Sequence, residues 1–248
     1  MGIYLRQLAV NKNLSKQTGT LNATSVTSNT KNSGCKVKGI ILDLDGTIVN
    51  SRKAYREAAR TAFKTLGGTM TNTKVVTEIP KRMEQNLPID DLLQDINEEK
   101  FLRAYLKAYY KATSTKTEPI PNVSETLGKL SKKATLVLMT RRQVPKKEVI
   151  EQLQRFGLAK HFRKIVTAKG NMKPKPSPEG LLSCLKQLGI ETCECWVVGD
   201  SVVDIRAGKN AGVKTIAVLS GIFTREELEK EKPDLILKNV SELADFLT

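Results

Sequence analysis

Histidine is almost absent from this 248-residue chain: His161 stands alone, so neither a Ser-His-Asp relay nor a histidine-rich metal centre is expected. Aromatic residues are scarce as well, at 5%, which leaves few stacking platforms for single-stranded nucleic acid. No window approaches the roughly 18 consecutive apolar residues of a membrane span, so no membrane partner is expected. The four cysteines, Cys35, Cys184, Cys193 and Cys195, form no C-x-x-C pair, and this usage points to a reducing, cytoplasmic setting. A closed zinc site at Cys193-Glu194-Cys195 lacks further ligands. Packing at a strand entry is the expected role of that segment.

Acidic residues are missing from positions 1 to 42, which hold Arg6, Lys12, Lys16, Lys31, Lys36 and Lys38. That arm contributes six of the excess charges in a net +15. The remaining excess is scattered, densest at Lys129, Lys132, Lys133, Arg141, Arg142, Lys146 and Lys147. This patch reads as a solvated or phosphate-attracting face, and nucleic acid is not the expected partner. Residues 1 to 35, rich in Ser, Thr, Asn and Lys without a sustained period, read as a mobile basic arm. The same composition suits an organelle transit peptide, which makes an organelle the alternative location.

Beyond the arm, two kinds of pattern alternate. Ala54, Tyr55, Ala58, Ala59, Ala62, Phe63 and Leu66 recur at three- and four-residue steps, one apolar helix face that ends at Gly67-Gly68. Further helices are expected over Thr73 to Asn86, Ile89 to Ile96 and Glu98 to Lys111, with Pro80 and Pro88 as punctuation. Residues 51 to 118 thus form an all-helical insert. On either side, at 36–50 and 119–248, short apolar runs alternate with helical stretches. Strands are expected at Gly39 to Leu42, Ala134 to Met139, Ile165 to Thr167, Cys195 to Val198, Lys214 to Leu219 and Asp234 to Leu237. Helices are expected at Lys147 to Phe156, Pro178 to Leu188, Ile205 to Ala211, from Thr224 with its capping-box Glu227, and at Ser241 to Leu247. Such alternation predicts an α/β fold, a Rossmann-like three-layer core with a parallel sheet covered on both faces.

The chemistry concentrates where strands end. Asp43-Leu44-Asp45-Gly46-Thr47 closes the first apolar run, and Gly199-Asp200 closes Cys195 to Val198, with Asp204 four residues on. Ligands bind outside the carboxyl ends of strands in open α/β sheets, so these acids are expected to converge on one edge. Asp43 is placed to act as a nucleophile toward phosphorus, forming an aspartyl-phosphate that divides one hard hydrolysis into two easier displacements. A hard cation such as Mg²⁺, held by Asp43 and Asp200, would offset the repulsion between carboxylate and phosphate. Asp45 is the natural acid and base for the leaving oxygen and the attacking water. Thr140, following a strand, and Lys175, in Lys173-Pro174-Lys175-Pro176-Ser177-Pro178, offer donors and positive charge to the phosphoryl oxygens. Lys173 is the rival for that role.

In this order the four segments, Asp43 to Thr47, Thr140, Lys175-Pro-Ser-Pro and Gly199 to Asp204, resemble the motifs of the haloacid dehalogenase superfamily. The helical insert resembles that superfamily's α-helical cap, and the whole is most similar to its phosphoglycolate-phosphatase-like branch. The resemblance implies a Mg²⁺-dependent phosphatase with Asp43 as nucleophile and Asp45 as acid and base. It implies that Thr140 and Lys175 bind the phosphoryl group. It further implies Mg²⁺ held by Asp43, Asp200 and the Asp45 main-chain carbonyl, with Asp204 supporting the water shell or Lys175. The expected substrate is a small phosphorylated metabolite, phosphoglycolate first, then a sugar phosphate, nucleotide or pyrophosphate. A phosphomutase is the enzymatic alternative, and an idle binding protein for nucleic acid or an acidic partner is the alternative from another class. Many relatives carry Asn after the threonine, where this chain has Arg141-Arg142. Arg141 is expected either to grip a substrate carboxylate or second phosphate or to be a surface charge.

Overall fold

The computed structural model describes residues 35–169 and 172–247; the basic arm expected over residues 1 to 35 lies, but for Cys35, outside them. Apolar runs with no polar alternation suit strands buried on both faces, and six of them form one parallel sheet. In chain order these are β1 (Gly39–Leu42), β4 (Thr135–Met139), β5 (Lys164–Val166), β6 (Cys195–Gly199), β7 (Lys214–Val218) and β8 (Leu235–Leu237). Two-residue strands β2 (Val49–Asn50) and β3 (Glu118–Pro119) pair separately and antiparallel. The sheet order is β5-β4-β1-β6-β7-β8, so β1 is central. Leu42 pairs with Leu138 on one side and Val198 on the other, which brings the ends of β1, β4 and β6 level at one edge.

Successive residues point to opposite faces of a strand, and the core divides accordingly. Ile40, Leu42, Leu136 and Leu138 face one layer with Leu127 and Leu153, carried by α4 (Val123–Leu130) and α5 (Lys146–Arg155). Ile41, Val137 and Val197 face the other with Leu181, Leu185 and Ala207, carried by α6 (Glu179–Leu188) and α7 (Val202–Ala211). The last core helix, α8 (Arg225–Lys230), opens with the expected Thr224–Glu227 capping box.

Between β2 and β3 the chain runs through α1 (Arg52–Thr65), α2 (Val75–Gln85) and α3 (Glu98–Ala112). Alanines 54, 58, 59 and 62 let α1 lie close to α3, where Phe63 meets Phe101 edge-on at 4.8 Å and Tyr55 stacks on Tyr109 at 5.3 Å. The same apolar cluster takes in Val202, Val203, Ile205 and Phe223, so the insert packs directly on the sheet-bearing part. Lys81 of α2 reinforces that contact. It is buried, ion-paired with Glu227 at 2.7 Å and set over the Phe223 ring.

Several expectations need correcting. Pro80 lies inside α2 instead of punctuating it. The helix expected over Ile89 to Ile96 is one 3₁₀ turn, Asp90–Leu92, and the last helix is the 3₁₀ segment Val240–Phe246. Helix α4 had no counterpart in the pattern reading. Cys35 and Cys193 are joined by a disulfide across 158 residues of sequence, so Cys193 is paired where packing at a strand entry was expected. Only Cys184 and Cys195 are free, and both are buried in the core. No helix among the described residues is long and apolar enough to cross a membrane.

Candidate active site

Asp43 leaves β1 with its amide donating to the Val198 carbonyl at 2.9 Å, so the sheet ladder itself aims the residue at the shared edge. The chain then turns at Gly46, whose φ of 84° favours glycine. A Cβ on Gly46 or on Gly221 would overlap the Asp200 carboxylate, so these two glycines make room for that side chain. Thr47 Oγ1 donates to Asp200 Oδ1 at 3.1 Å. Asp204 sits in the first turn of α7, where its Oδ2 accepts the Ser201 amide in a capping box.

Lys175 closes the cluster from the loop before α6. Its buried Nζ donates to Asp43 Oδ1 and to Asp204 Oδ1, each at 2.5 Å, and to the Met139 carbonyl at 3.0 Å. Lys173 is exposed; Lys175 is the lysine that meets the acids. Thr140 is buried one residue past β4, and its Oγ1 accepts the Arg142 amide at 3.2 Å. The structure therefore gathers Asp43, Asp45, Thr140, Arg141, Lys175 and Asp204 around one cavity of about 80 Å³, with Asp200 beside Asp43 and Asp204.

Oxygens of Asp43, Asp200 and Asp204 lie within 4.8 Å of one another. Burial pushes the Asp43 carboxyl up to about 8, with Asp204 and Asp45 adding to the rise and Lys175 opposing it. Burial also drives Asp200 well up, helped by Asp43 and Glu84. Crowded, desolvated carboxylates with one ammonium among them are the donor set a hard divalent cation prefers. These three residues fit a metal of that kind.

Asp45 has the opposite environment. Burial alone would raise its carboxyl, but the Arg142 guanidinium and hydrogen bonds from Arg142, Ser51 and Tyr109 outweigh it and hold the group below the usual range. Arg142 is buried, its Nη1 donates to Gln152 Oε1 at 2.5 Å, and Gln152 Nε2 donates to Thr117 Oγ1 at 2.7 Å just before β3. Arg142 is therefore no part of a solvated basic face. Arg141 lines the cavity, but its Nη1 donates to the main-chain carbonyls of Glu84 and Lys175, each at 2.6 Å. That contact ties the last turn of α2 to the Lys175 loop.

Glu84, Arg142, Ser51 and Tyr109 were not singled out from the sequence as site residues. Arg142 carried a signal, since it follows Thr140 at the strand edge. Glu84 carried none, because a glutamate on a mixed helix is the commonest of surface residues.

Comparison with known proteins supplies a family and a fold. A family model described as haloacid dehalogenase-like hydrolase matches residues 40–218. The phosphoglycolate phosphatase of Vibrio parahaemolyticus is 32% identical over 128 residues, 51% of this chain and 55% of that protein. The pyrophosphatase PpaX of Halalkalibacterium halodurans is 32% identical over 130 residues, 52% of this chain and 60% of its own. The matched stretch thus spans little more than half the length of these curated relatives. Among solved structures, a haloacid dehalogenase-like family hydrolase from Streptococcus pneumoniae superposes with a TM-score of 0.72 at 18% identity, over 86% of this chain and 99% of that one. At that identity the likeness establishes the fold.

Proposed function

Because the chain belongs to the haloacid dehalogenase-like hydrolases, we propose that it is a Mg²⁺-dependent phosphatase that hydrolyses a small phosphate monoester through a phosphorylated Asp43. The observation that carries this reading is the Lys175 ammonium held 2.5 Å from both Asp43 and Asp204 at the mouth of β1. It supplies positive charge where a phosphoryl group meets its nucleophile. Asp43, Asp200 and Asp204 would hold the cation, with the Asp45 carbonyl as a further ligand. When bound, Mg²⁺ supplies charge that offsets repulsion between the carboxylate and the phosphate dianion.

In the first half-reaction an Asp43 oxygen bonds to phosphorus and the ester P–O bond breaks. Thr140 and Lys175 hold the equatorial oxygens, and protonated Asp45 gives its proton to the departing alkoxide. In the second, ionised Asp45 takes a proton from water, the water oxygen bonds to phosphorus, and the Asp43–phosphorus bond breaks. Arg142 favours the ionised form of Asp45, so the resting site is set for this second proton transfer. α1, α2 and α3 serve as the cap, covering the cavity and limiting water entry.

Phosphoglycolate and pyrophosphate, which the relatives' names contain, are the reference compounds to assay. Phosphate release from a phosphorylated-metabolite panel tests the reading. Activity should need Mg²⁺, vanish with chelator and vanish in Asp43→Asn; activity that survives in Asp43→Asn would overturn it.

A further inference from the structure

The wall of the cavity built by the helical insert has a composition of its own. α1, α2 and α3 contribute Tyr55, Met83, Glu84, Tyr105, Tyr109 and Tyr110. Four of the chain's five tyrosines are in that set, and no described lysine or arginine of these three helices lines it. Its one carboxyl group is that of Glu84. The three cations of the same cavity, Arg141, Arg142 and Lys175, all come from the core and are engaged there: Lys175 with Asp43 and Asp204, Arg142 with Asp45 and Gln152, and Arg141 through Nη1 with two carbonyls.

A leaving group that carried a carboxylate would enter this wall beside Glu84 with no cation of the helices to receive it. Like charges at such range in a poorly hydrated space disfavour binding. A leaving group that carried an ammonium meets the reverse situation. Among the described residues only Ser201 hydrogen-bonds the Glu84 carboxylate, Oγ to Oε2 at 2.5 Å. The tyrosine rings are stacked, Tyr55 on Tyr109 at 5.3 Å and Tyr105 on Tyr109 at 6.4 Å. Tyr109 already accepts one cation against its ring, the Arg142 guanidinium at 5.7 Å. Aromatic faces beside a carboxylate are the surroundings that recognise amines.

We propose that the substrate is the phosphate ester of an amino alcohol, its ammonium held between Glu84 and the tyrosine wall while its phosphoryl group lies against Asp43, Thr140 and Lys175. This assignment rests on the phosphatase reading and departs from its reference substrate, because glycolate brings an anion to the same wall. Burial, with Asp204 adding to it, pushes the Glu84 carboxyl up to about 7, which Arg141, Ser201 and Lys175 only partly oppose. A bound cation relieves that situation by favouring the charged form.

Three esters of similar size separate the possibilities: aminoethyl phosphate, ethyl phosphate and phosphoglycolate, whose leaving groups carry a positive charge, none and a negative charge. Turnover is measured with Mg²⁺ on the wild-type chain and on Glu84→Gln, and binding by calorimetry on Asp43→Asn. Aminoethyl phosphate should exceed phosphoglycolate in kcat/KM by about tenfold or more, since one ion pair plus a ring contact supports a factor of that order. Glu84→Gln should erase most of that preference by lowering kcat/KM for aminoethyl phosphate well beyond any loss on ethyl phosphate, a selective effect that a folding defect does not imitate. Phosphoglycolate as the best of the three, or an equal loss on all three in Glu84→Gln, overturns the assignment. If no ester is turned over yet Asp43→Asn binds aminoethyl phosphate most tightly, the phosphatase reading fails and the ammonium site stands. Equal binding of the three overturns the site itself.

Discussion

Arg142 grips Asp45 in a bidentate pair, Nε to Oδ2 at 2.7 Å and Nη2 to Oδ1 at 2.6 Å, with both side chains largely out of solvent. A planar guanidinium matches a carboxylate in this geometry as lysine cannot. Gln152 orients the guanidinium from behind and is itself held by Thr117. The acid and base of the proposed reaction is thereby linked to the segment through which the chain returns from the helical insert.

Replacing Arg142 by Gln leaves the Asp45 carboxylate buried without its counter-charge. Breaking one side of such a pair costs about 3–5 kcal/mol. We expect a clear fall in Tm for Arg142→Gln and recovery of much of it in the double variant with Asp45→Asn, because removing both charges removes the mismatch. Scanning calorimetry on the four proteins checks this; additive losses would contradict it.

Activity should report the same pair through pH. Arg142 lowers the Asp45 carboxyl, so its loss lets that group rise. The limb of the kcat profile on which activity grows as Asp45 ionises should therefore move to higher pH in Arg142→Gln, the sign expected for a base that has become stronger. An unmoved limb in a folded variant would assign that limb to another group.

Stability of the metal-free protein should fall as pH rises. Asp43 is raised from 3.8 to about 8 in the folded chain, so between those values the folded state holds a proton that the unfolded state has lost. Asp200 acts in the same direction. Mg²⁺, in the proposed site, would bind the ionised carboxylates and should raise Tm more at pH 8 than at pH 5, by several degrees at a concentration near 100 times its Kd, where linkage supplies about 2.7 kcal/mol. Thermal scans with and without Mg²⁺ at the two pH values decide it.

Gly221→Ala tests the space around Asp200. The added methyl overlaps that carboxylate and should displace it from Asp43 and Asp204. The Mg²⁺ concentration giving half-maximal activity should rise by about tenfold or more, the scale seen when a metal ligand loses its support. Titration of activity with Mg²⁺ measures it, and an unchanged midpoint would remove Asp200 from the ligand set.

Much of the core was legible because parallel strands leave a strong trace. Gly39 to Leu42 and Cys195 to Val198 are unbroken apolar runs that end in acids, and the sheet pairs them in register at one edge. The helix of residues 123–130 was less legible. It is only two turns long and follows a proline-rich break, so its period hardly develops. Pro80 misled as a breaker because it sits in the middle of α2, where the helix runs on through it despite the lost amide donor, its face held by the buried Val76, Ile79 and Met83. Around the site, strand ends made Asp43, Thr140 and Asp200 visible, whereas Arg142 and Glu84 acquire meaning only through partners 97 and 117 residues away. The Cys35–Cys193 disulfide was hidden for the same reason, since its two halves lie 158 residues apart.

Covalent capture of the reaction examines the central assignment most directly. The wild-type chain, mixed with substrate and Mg²⁺, is acid-quenched within one turnover and digested, and the peptide carrying Asp43 is weighed by mass spectrometry. The expected result is an added phosphoryl group on Asp43 that disappears at longer times and never forms in Asp43→Asn. Phosphate released in that first turnover with no protein-bound phosphoryl group, or a phosphoryl group carried by another residue, would contradict it.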